Sequence, residues 1–197
     1  MNGGVGNDSY FVENAGDKAV EAANQGTDTV SSRLTYTLPA NVENLTLTDT
    51  SAVNGTGNGL TNVMTGNVAN NQLSGLAGSD ILSGGGGNDI LMGGAGNNIL
   101  TGGVGNDVFR FTAPGNTGTV TDYNVVNDTI QLENGVFNAL TATGTLPAGQ
   151  FRVGVQALDG NDHVIYNKTS GALIYDGNGN GAGAAVQIGT LTPGLNL

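Results

Sequence analysis

The chain has 197 residues, of which 35 are glycine and none is cysteine or tryptophan, and its 16 acidic and five basic side chains give a formal net charge of −11. That balance argues against a nucleic-acid partner, whose phosphates require clustered Lys and Arg, and the missing thiols exclude disulfides, thiolate metal sites and cysteine catalysis. No apolar run approaches the roughly 18 residues of a membrane-spanning helix, and no basic-then-apolar leader opens the chain.

In chain order, residues 3–11 (GGVGNDSYF) form a nonapeptide with Asp8 at its sixth place and Tyr10 at its eighth. Residues 17–20 (DKAV) and 26–30 (GTDTV) read as turns leading into short strands. Strands are expected at 34–38 and 42–48, the second with Leu45 and Leu47 alternating with polar neighbours. Residues 13–24 contain Ala and Glu, but their apolar spacing does not support a helix. A coil rich in Asn, Gly, Ser and Thr (49–59) leads into the regular stretch.

Residues 57–110 are six uninterrupted nonapeptides: GNGLTNVMT, GNVANNQLS, GLAGSDILS, GGGGNDILM, GGAGNNILT and GGVGNDVFR. Each opens with Gly, has Asp or Asn sixth and a large apolar residue eighth, a fixed period that signals a repeat architecture. Beyond Asp107 the period fades. DVFRF is expected to be the last strand of the array, followed by strands at 119–123 and 129–132 and a helical turn at 135–140. Residues 151–155, 163–167, 172–175 and 184–188 read as antiparallel strands, with a hairpin loop at 167–171. The expected division is an irregular coil region (1–56), the regular array (57–110) and a β cap (111–197) covering its open end.

Nine residues are too many for a strand and too few for a helix plus turn. Six Gly- and Asn-rich residues make a turn, and of the three extended ones only the middle points inward. Those are Met64, Leu73, Leu82, Leu91, Leu100 and Phe109; Val63, Ile81, Ile90, Ile99 and Val108 face outward. Two nonapeptides close one coil, so turns 18 residues apart stack on the same edge. One edge collects Asn62, Asp80 and Asn98, the other Asn71, Asp89 and Asp107. Carbonyls and carboxylates converging between stacked turns suit Ca²⁺, which takes six to eight oxygen ligands in flexible geometry.

The motif G-G-x-G-x-D-x-U-x resembles the repeat of the RTX (repeats-in-toxin) family, which implies an all-β, right-handed parallel β-roll binding several Ca²⁺ ions. The flanks GTDTV, VENLTLT and TDYNVVNDTIQL are similar to stretches beside such repeats in bacterial proteins exported by type I secretion. The C-terminal part resembles the serralysin-like capping module. Asp122 and Asp128 match that family's last metal-supporting carboxylates. Among array pairs, Asp89 with Asp107 alone supplies two carboxylates and is expected to be the strongest site. Asn62, Asn71 and Asn98 bring no charge, and either ligate weakly or form hydrogen-bonded turns without an ion. Asp8 with Asp28 is a further pair on adjacent turns. Asp17 and Asp49 read as turn residues. The loop opening at Asp176 has EF-hand-like spacing but Gln187 at its twelfth place.

No HExxH or G-x-S-x-G is present, and His163 is the sole histidine, so the chain itself is expected to be non-catalytic. The resemblance implies a secreted calcium-binding module that folds after export and stabilises the C-terminal part of a larger protein, with the secretion machinery as partner. The ends, Met-Asn directly on a repeat and LTPGLNL, read as cut from that larger protein. The rival expectation is a polysaccharide-binding or adhesive β-roll, which would need an outward row of Tyr, Arg and Lys.

Overall fold

The computed structural model describes residues 1–113, 118–140, 143–179 and 185–197. Strands alternate between two sheets. The first receives β1 (Ser9–Val12), β2 (Thr29–Ser32), β4 (Asn44–Leu47), β6 (Val63–Thr65), β8 (Ile81–Gly86), β10 (Ile99–Val104) and β12 (Gly118–Val120), all parallel in that order. The second receives β3 (Tyr36–Thr37), β5 (Gly55–Thr56), β7 (Gln72–Ser74), β9 (Ile90–Met92), β11 (Val108–Phe111) and β13 (Thr129–Leu132), likewise parallel. This is the parallel β-solenoid that the nonapeptide period demands.

The register aligns the inward residues into columns. In the first sheet Val30, Leu45, Met64, Leu82, Leu100 and Val120 are successive Cα partners; in the second, Leu73, Leu91, Phe109 and Ile130 follow one another. Met64, Leu73, Leu82, Leu91 and Phe109 are fully buried and Leu100 nearly so. Each such burial is worth about 1.5–3 kcal/mol, so the columns provide the stack's main apolar driving force. The seventh-place residues Val63, Ile81 and Ile99 are exposed, as the period-two rule requires.

Two features differ from the sequence expectation. The strands β8 and β10 run six residues, continuing into the opening glycines of the next repeat, where Gly85 pairs with Gly103 and Gly86 with Val104. The C-terminal strands also do not form a wholly antiparallel cap. β14 (Phe151–Val153) runs parallel to β15 (Val164–Tyr166), whereas β15, β16 (Ala172–Asp176) and β17 (Ala185–Thr190) are antiparallel neighbours. β14 and β15 are joined by residues 154–163, a link long enough to carry the chain back to the same end instead of through a hairpin. β17 then pairs in parallel with β12, Gly118 opposite Gly189. The cap therefore extends the first sheet to 11 strands and covers the ladder that β12 would otherwise leave open. At 135–140 the expected helical turn is present, with Phe137 N–H donating to Glu133 O at 2.9 Å.

One repeat is strained. Gly85, Gly94 and Gly103 take positive φ at the second place of their turns, and the residue at the same place in GLAGSDILS is Leu76, at φ 73° and half-exposed. A Cβ in this region costs about 1–2 kcal/mol, partly offset by glycine's greater unfolded-state entropy. Leu76→Gly is expected to raise stability by about 0.5–1 kcal/mol in a denaturant titration.

Candidate metal centre

The two predicted edges form, and a backbone ladder holds each. On one, Asn62 N–H donates to Asp80 Oδ1 and Asp80 N–H to Asn98 Oδ1, both at 2.8 Å. On the other, Asn71 N–H donates to Asp89 Oδ1 at 2.7 Å, Asp89 N–H to Asp107 Oδ1 at 2.8 Å and Asp107 N–H to Asp128 Oδ1 at 2.9 Å. These side chains are drawn inward over their turns: Asp80 and Asp89 are 0% exposed and Asp107 1%. The first edge continues upstream, where Asp8 N–H donates to Asp28 Oδ1 and Asp28 N–H to Glu43 Oε2, each at 2.8 Å.

Using Oδ1 for the ladder leaves Oδ2. In Asp80, Asp89 and Asp107 that oxygen is buried and has no hydrogen-bond partner. Its position explains the invariant first glycine: a Cβ on Gly84 would lie 2.3 Å from Asp89 Oδ2 and 2.6 Å from Gly102 O, and one on Gly75 2.2 Å from Asp80 Oδ2 and 2.7 Å from Gly93 O. Carboxylate and carbonyl oxygens thus crowd one gap between stacked turns, with no donor between them. Burial, opposed by the Asn71 hydrogen bond and reinforced by the Asp107 charge, pushes the Asp89 carboxyl up to about 6. Burial also raises Asp80. Asp107 is raised first by burial, against the Asp89 hydrogen bond, and further by the charges of Asp128 and Asp122. Buried oxygens that lack donors and resist ionisation are the donor set a hard cation satisfies. The residues present fit Ca²⁺.

The three asparagines behave differently from the aspartates. Asn62 Oδ1 accepts from Asn58 N–H at 2.8 Å while its Nδ2 donates to Glu43 O at 3.1 Å. Asn71 Oδ1 accepts from Asn67 N–H at 2.8 Å and its Nδ2 donates to Val53 O at 2.6 Å. Asn98 Oδ1 is committed to the Asp80 N–H, so its Nδ2 must turn into the gap, where it donates to Gly94 O and Gly96 O at 3.3 and 3.4 Å. A Cβ on Gly93 would meet that nitrogen at 2.5 Å, where the aspartate turns present Oδ2. The amide puts a donor in the place where the other turns have a bare oxygen.

At the end of the array, Asp122 accepts from Gly102 N–H and Gly103 N–H at 2.9 and 2.8 Å. Asp128 Oδ2 accepts from Asn124 N–H at 2.8 Å. Both therefore close the last turns through the backbone while adding charge beside Asp107. Asp8 and Asp28 are brought together as read, but with a third carboxylate, Glu21, that sequence reading missed: one oxygen from each lies within 4.8 Å of the others. Nothing in the aperiodic stretch 13–24 signals it. Asp17 accepts from Glu13 and Asn14 N–H groups and Asp49 from Thr50 N–H, as turn residues do. Asp176 Oδ1 accepts from Asn178 and Gly179 N–H at 3.1 Å; the rest of that loop, 180–184, lies outside the described residues. His163 is half-buried just ahead of β15, its Nδ1 2.9 Å from Asp176 O. Of the tyrosines a glycan platform would turn outward, Tyr10, Tyr166 and Tyr175 are buried.

The model of the RTX calcium-binding nonapeptide repeat matches four copies, over residues 56–91 and 83–111. This array is an RTX calcium-binding β-roll. The RTX match covers a minority of the chain and coincides with the turns that carry the unpartnered carboxylates of Asp80, Asp89 and Asp107. The chain is also similar to two proteins of Rhizobium meliloti (strain 1021). It is 52% identical over 48 residues to endo-1,3-1,4-beta-glycanase ExsH, covering 24% of this chain and 10% of that protein. It is 37% identical over 65 residues to endo-1,3-1,4-beta-glycanase EglC, covering 33% of this chain and 14% of that protein. The matched stretch thus spans a small fraction of either relative. Among the described residues no helix is long and apolar enough to cross a membrane.

Proposed function

We propose that this chain is a calcium-gated folding module of an exported protein, with Asp89 and Asp107 holding the array's principal ion. The observation that carries this reading is the pair of buried Oδ2 atoms without donors, on adjacent turns of one edge. Among the described residues the ion pairs are Arg33 with Glu13 and Arg152 with Asp162, so no Lys or Arg neutralises the array aspartates. The Asp80 gap, with one carboxylate and the Asn98 amide, is a weaker site, and the Asn62 and Asn71 amides are satisfied by protein groups. Asp122 and Asp128 support the Asp107 end electrostatically.

In a calcium-poor cytoplasm the uncompensated carboxylates and the entropy of the Gly-rich turns keep the roll loose. That state suits threading through a type I export channel. Outside, calcium binds the folded form and stabilises it by mass action, by about 2.7 kcal/mol at a hundredfold excess over Kd. The module then consolidates the C-terminal part of the larger secreted protein. Circular dichroism and titration calorimetry in calcium-free buffer and in millimolar Ca²⁺ test this. Strand signal and melting temperature are expected to rise with calcium, and Asp89→Ala or Asp107→Ala to remove more of that response than Asp80→Ala. Identical traces with and without calcium would leave a solenoid held by its turns alone.

A further inference from the structure

We infer that Asp8, Glu21 and Asp28 form a separate divalent-cation site upstream of the RTX array, with Glu21 as the ligand that completes it. The nonapeptide logic accounts for two of the three. Asp8 and Asp28 repeat the geometry of Asp89 and Asp107, the earlier N–H donating to the later Oδ1 at 2.8 Å in both pairs. Glu21 comes from the aperiodic segment between them. That segment is pinned on both sides: Val20 N–H donates to Met1 O at 2.9 Å, and Asn41 Nδ2 donates to Glu21 O at 3.1 Å. The Glu21 side chain is therefore held against the turn.

Oxygen by oxygen, the cluster is short of donors. Gly3 N–H donates to the Tyr10 hydroxyl at 2.9 Å, and that hydroxyl donates to Glu21 Oε1. Asp28 Oδ1 takes the Asp8 N–H. Glu21 Oε2 and Asp8 Oδ2 remain buried without a hydrogen-bond partner. Glu21 is 8% exposed and Asp28 1%, so water cannot solvate these charges freely, and none of the three carboxylates has an ion-pair partner among the described residues. Removing that much charge from water without compensation is strongly unfavourable. Oxygens on opposite sides of a Ca²⁺ ion stand about 4.6–5.2 Å apart, which matches three ligand oxygens mutually within 4.8 Å. The all-oxygen, three-carboxylate set selects a hard cation over Zn²⁺. It also carries more charge than the two-carboxylate pair at Asp89 and Asp107, and so is expected to fill at lower calcium.

The test is direct calcium counting together with Tb³⁺ luminescence excited through tyrosine, since the Tyr10 hydroxyl touches a ligand. Glu21→Gln keeps an Oε1 acceptor for Tyr10, and Asp28→Asn keeps an Oδ1 acceptor for the Asp8 N–H, so each removes charge without removing the hydrogen bond. Each is expected to lose one tightly bound calcium, weaken that step at least about tenfold and extinguish the Tyr10-sensitised emission. Asp107→Asn is expected to lose an array calcium instead, leaving the tightest binding step and the Tyr10-sensitised emission in place, which separates this site from the array. If Glu21→Gln misfolds by circular dichroism in calcium, Asp28→Asn decides. Unchanged calcium number and affinity in the folded variants would overturn the assignment.

Discussion

In calcium-free buffer the melting temperature is expected to fall as pH rises from about 4 to about 6, and in millimolar calcium to rise over the same interval. The Asp89 carboxyl holds its proton up to about 6 in the folded chain, against an ordinary value of 3.8. Between those values the folded form keeps a proton that the unfolded chain has released, so its stability contribution is complete below about 3.8 and lost as pH passes about 6. Asp80 and Asp107 are displaced in the same direction, also chiefly by burial, and reinforce the trend. At full strength the Asp89 displacement corresponds to about 3 kcal/mol, and screening at a turn edge reduces this to about 1–2 kcal/mol. Bound calcium inverts the sign, because a cation favours the ionised carboxylates and protons then compete with it. Asp89→Asn should flatten the calcium-free profile and abolish most of the inversion. Parallel thermal melts across pH, with and without calcium, decide the matter: profiles of the same slope in both buffers would mean that the array carboxylates do not meet the ion.

Much of this arrangement was legible because one period sets both the packing and the site. The eighth-place column from Met64 to Phe109 and the stacking of Asp89 on Asp107 follow from the same nine-residue spacing, read once for apolar residues and once for acids. Glu21 was not legible, since it reaches its partners from a segment with no period, and it is turned inward by the pinning of Val20 N–H and Glu21 O together with the Tyr10 hydroxyl that donates to its Oε1. Strand direction was also hidden in the C-terminal part. Residues 151–153 have the composition of any short strand, and whether they run with or against β15 depends on how the link 154–163 crosses. The orientation of the Asn98 amide was beyond composition too. Asp and Asn have nearly the same shape, and the choice is made by a donor from another coil, the Asp80 N–H.

That last distinction has the larger consequence for Asn98→Asp. In the native chain the Asn98 amide supplies hydrogen-bond donors to Gly94 O and Gly96 O, carbonyls that in an aspartate turn would look towards a cation. Replacing it with a carboxylate preserves the acceptor for the Asp80 N–H, removes both donated bonds and sets a second charge near the unpartnered Asp80 Oδ2. Without calcium the variant should lose about 2–4 kcal/mol, the combined cost of unsatisfied buried oxygens and like-charge repulsion. With calcium, the edge that held one carboxylate per gap now holds two, as at Asp89 and Asp107, and the variant should bind one more ion and recover most of the loss. Asn98→Ala separates the contributions: it should be destabilised in both buffers and gain no ion. A carboxylate variant as stable as the native chain without calcium, or one with an unchanged calcium number, would mean that the amide does not fill a cation's role. If the effect follows the expected pattern, asparagine at the sixth place keeps a turn closed before calcium arrives. The mixture of Asp and Asn along the array then sets how much of the roll awaits the ion.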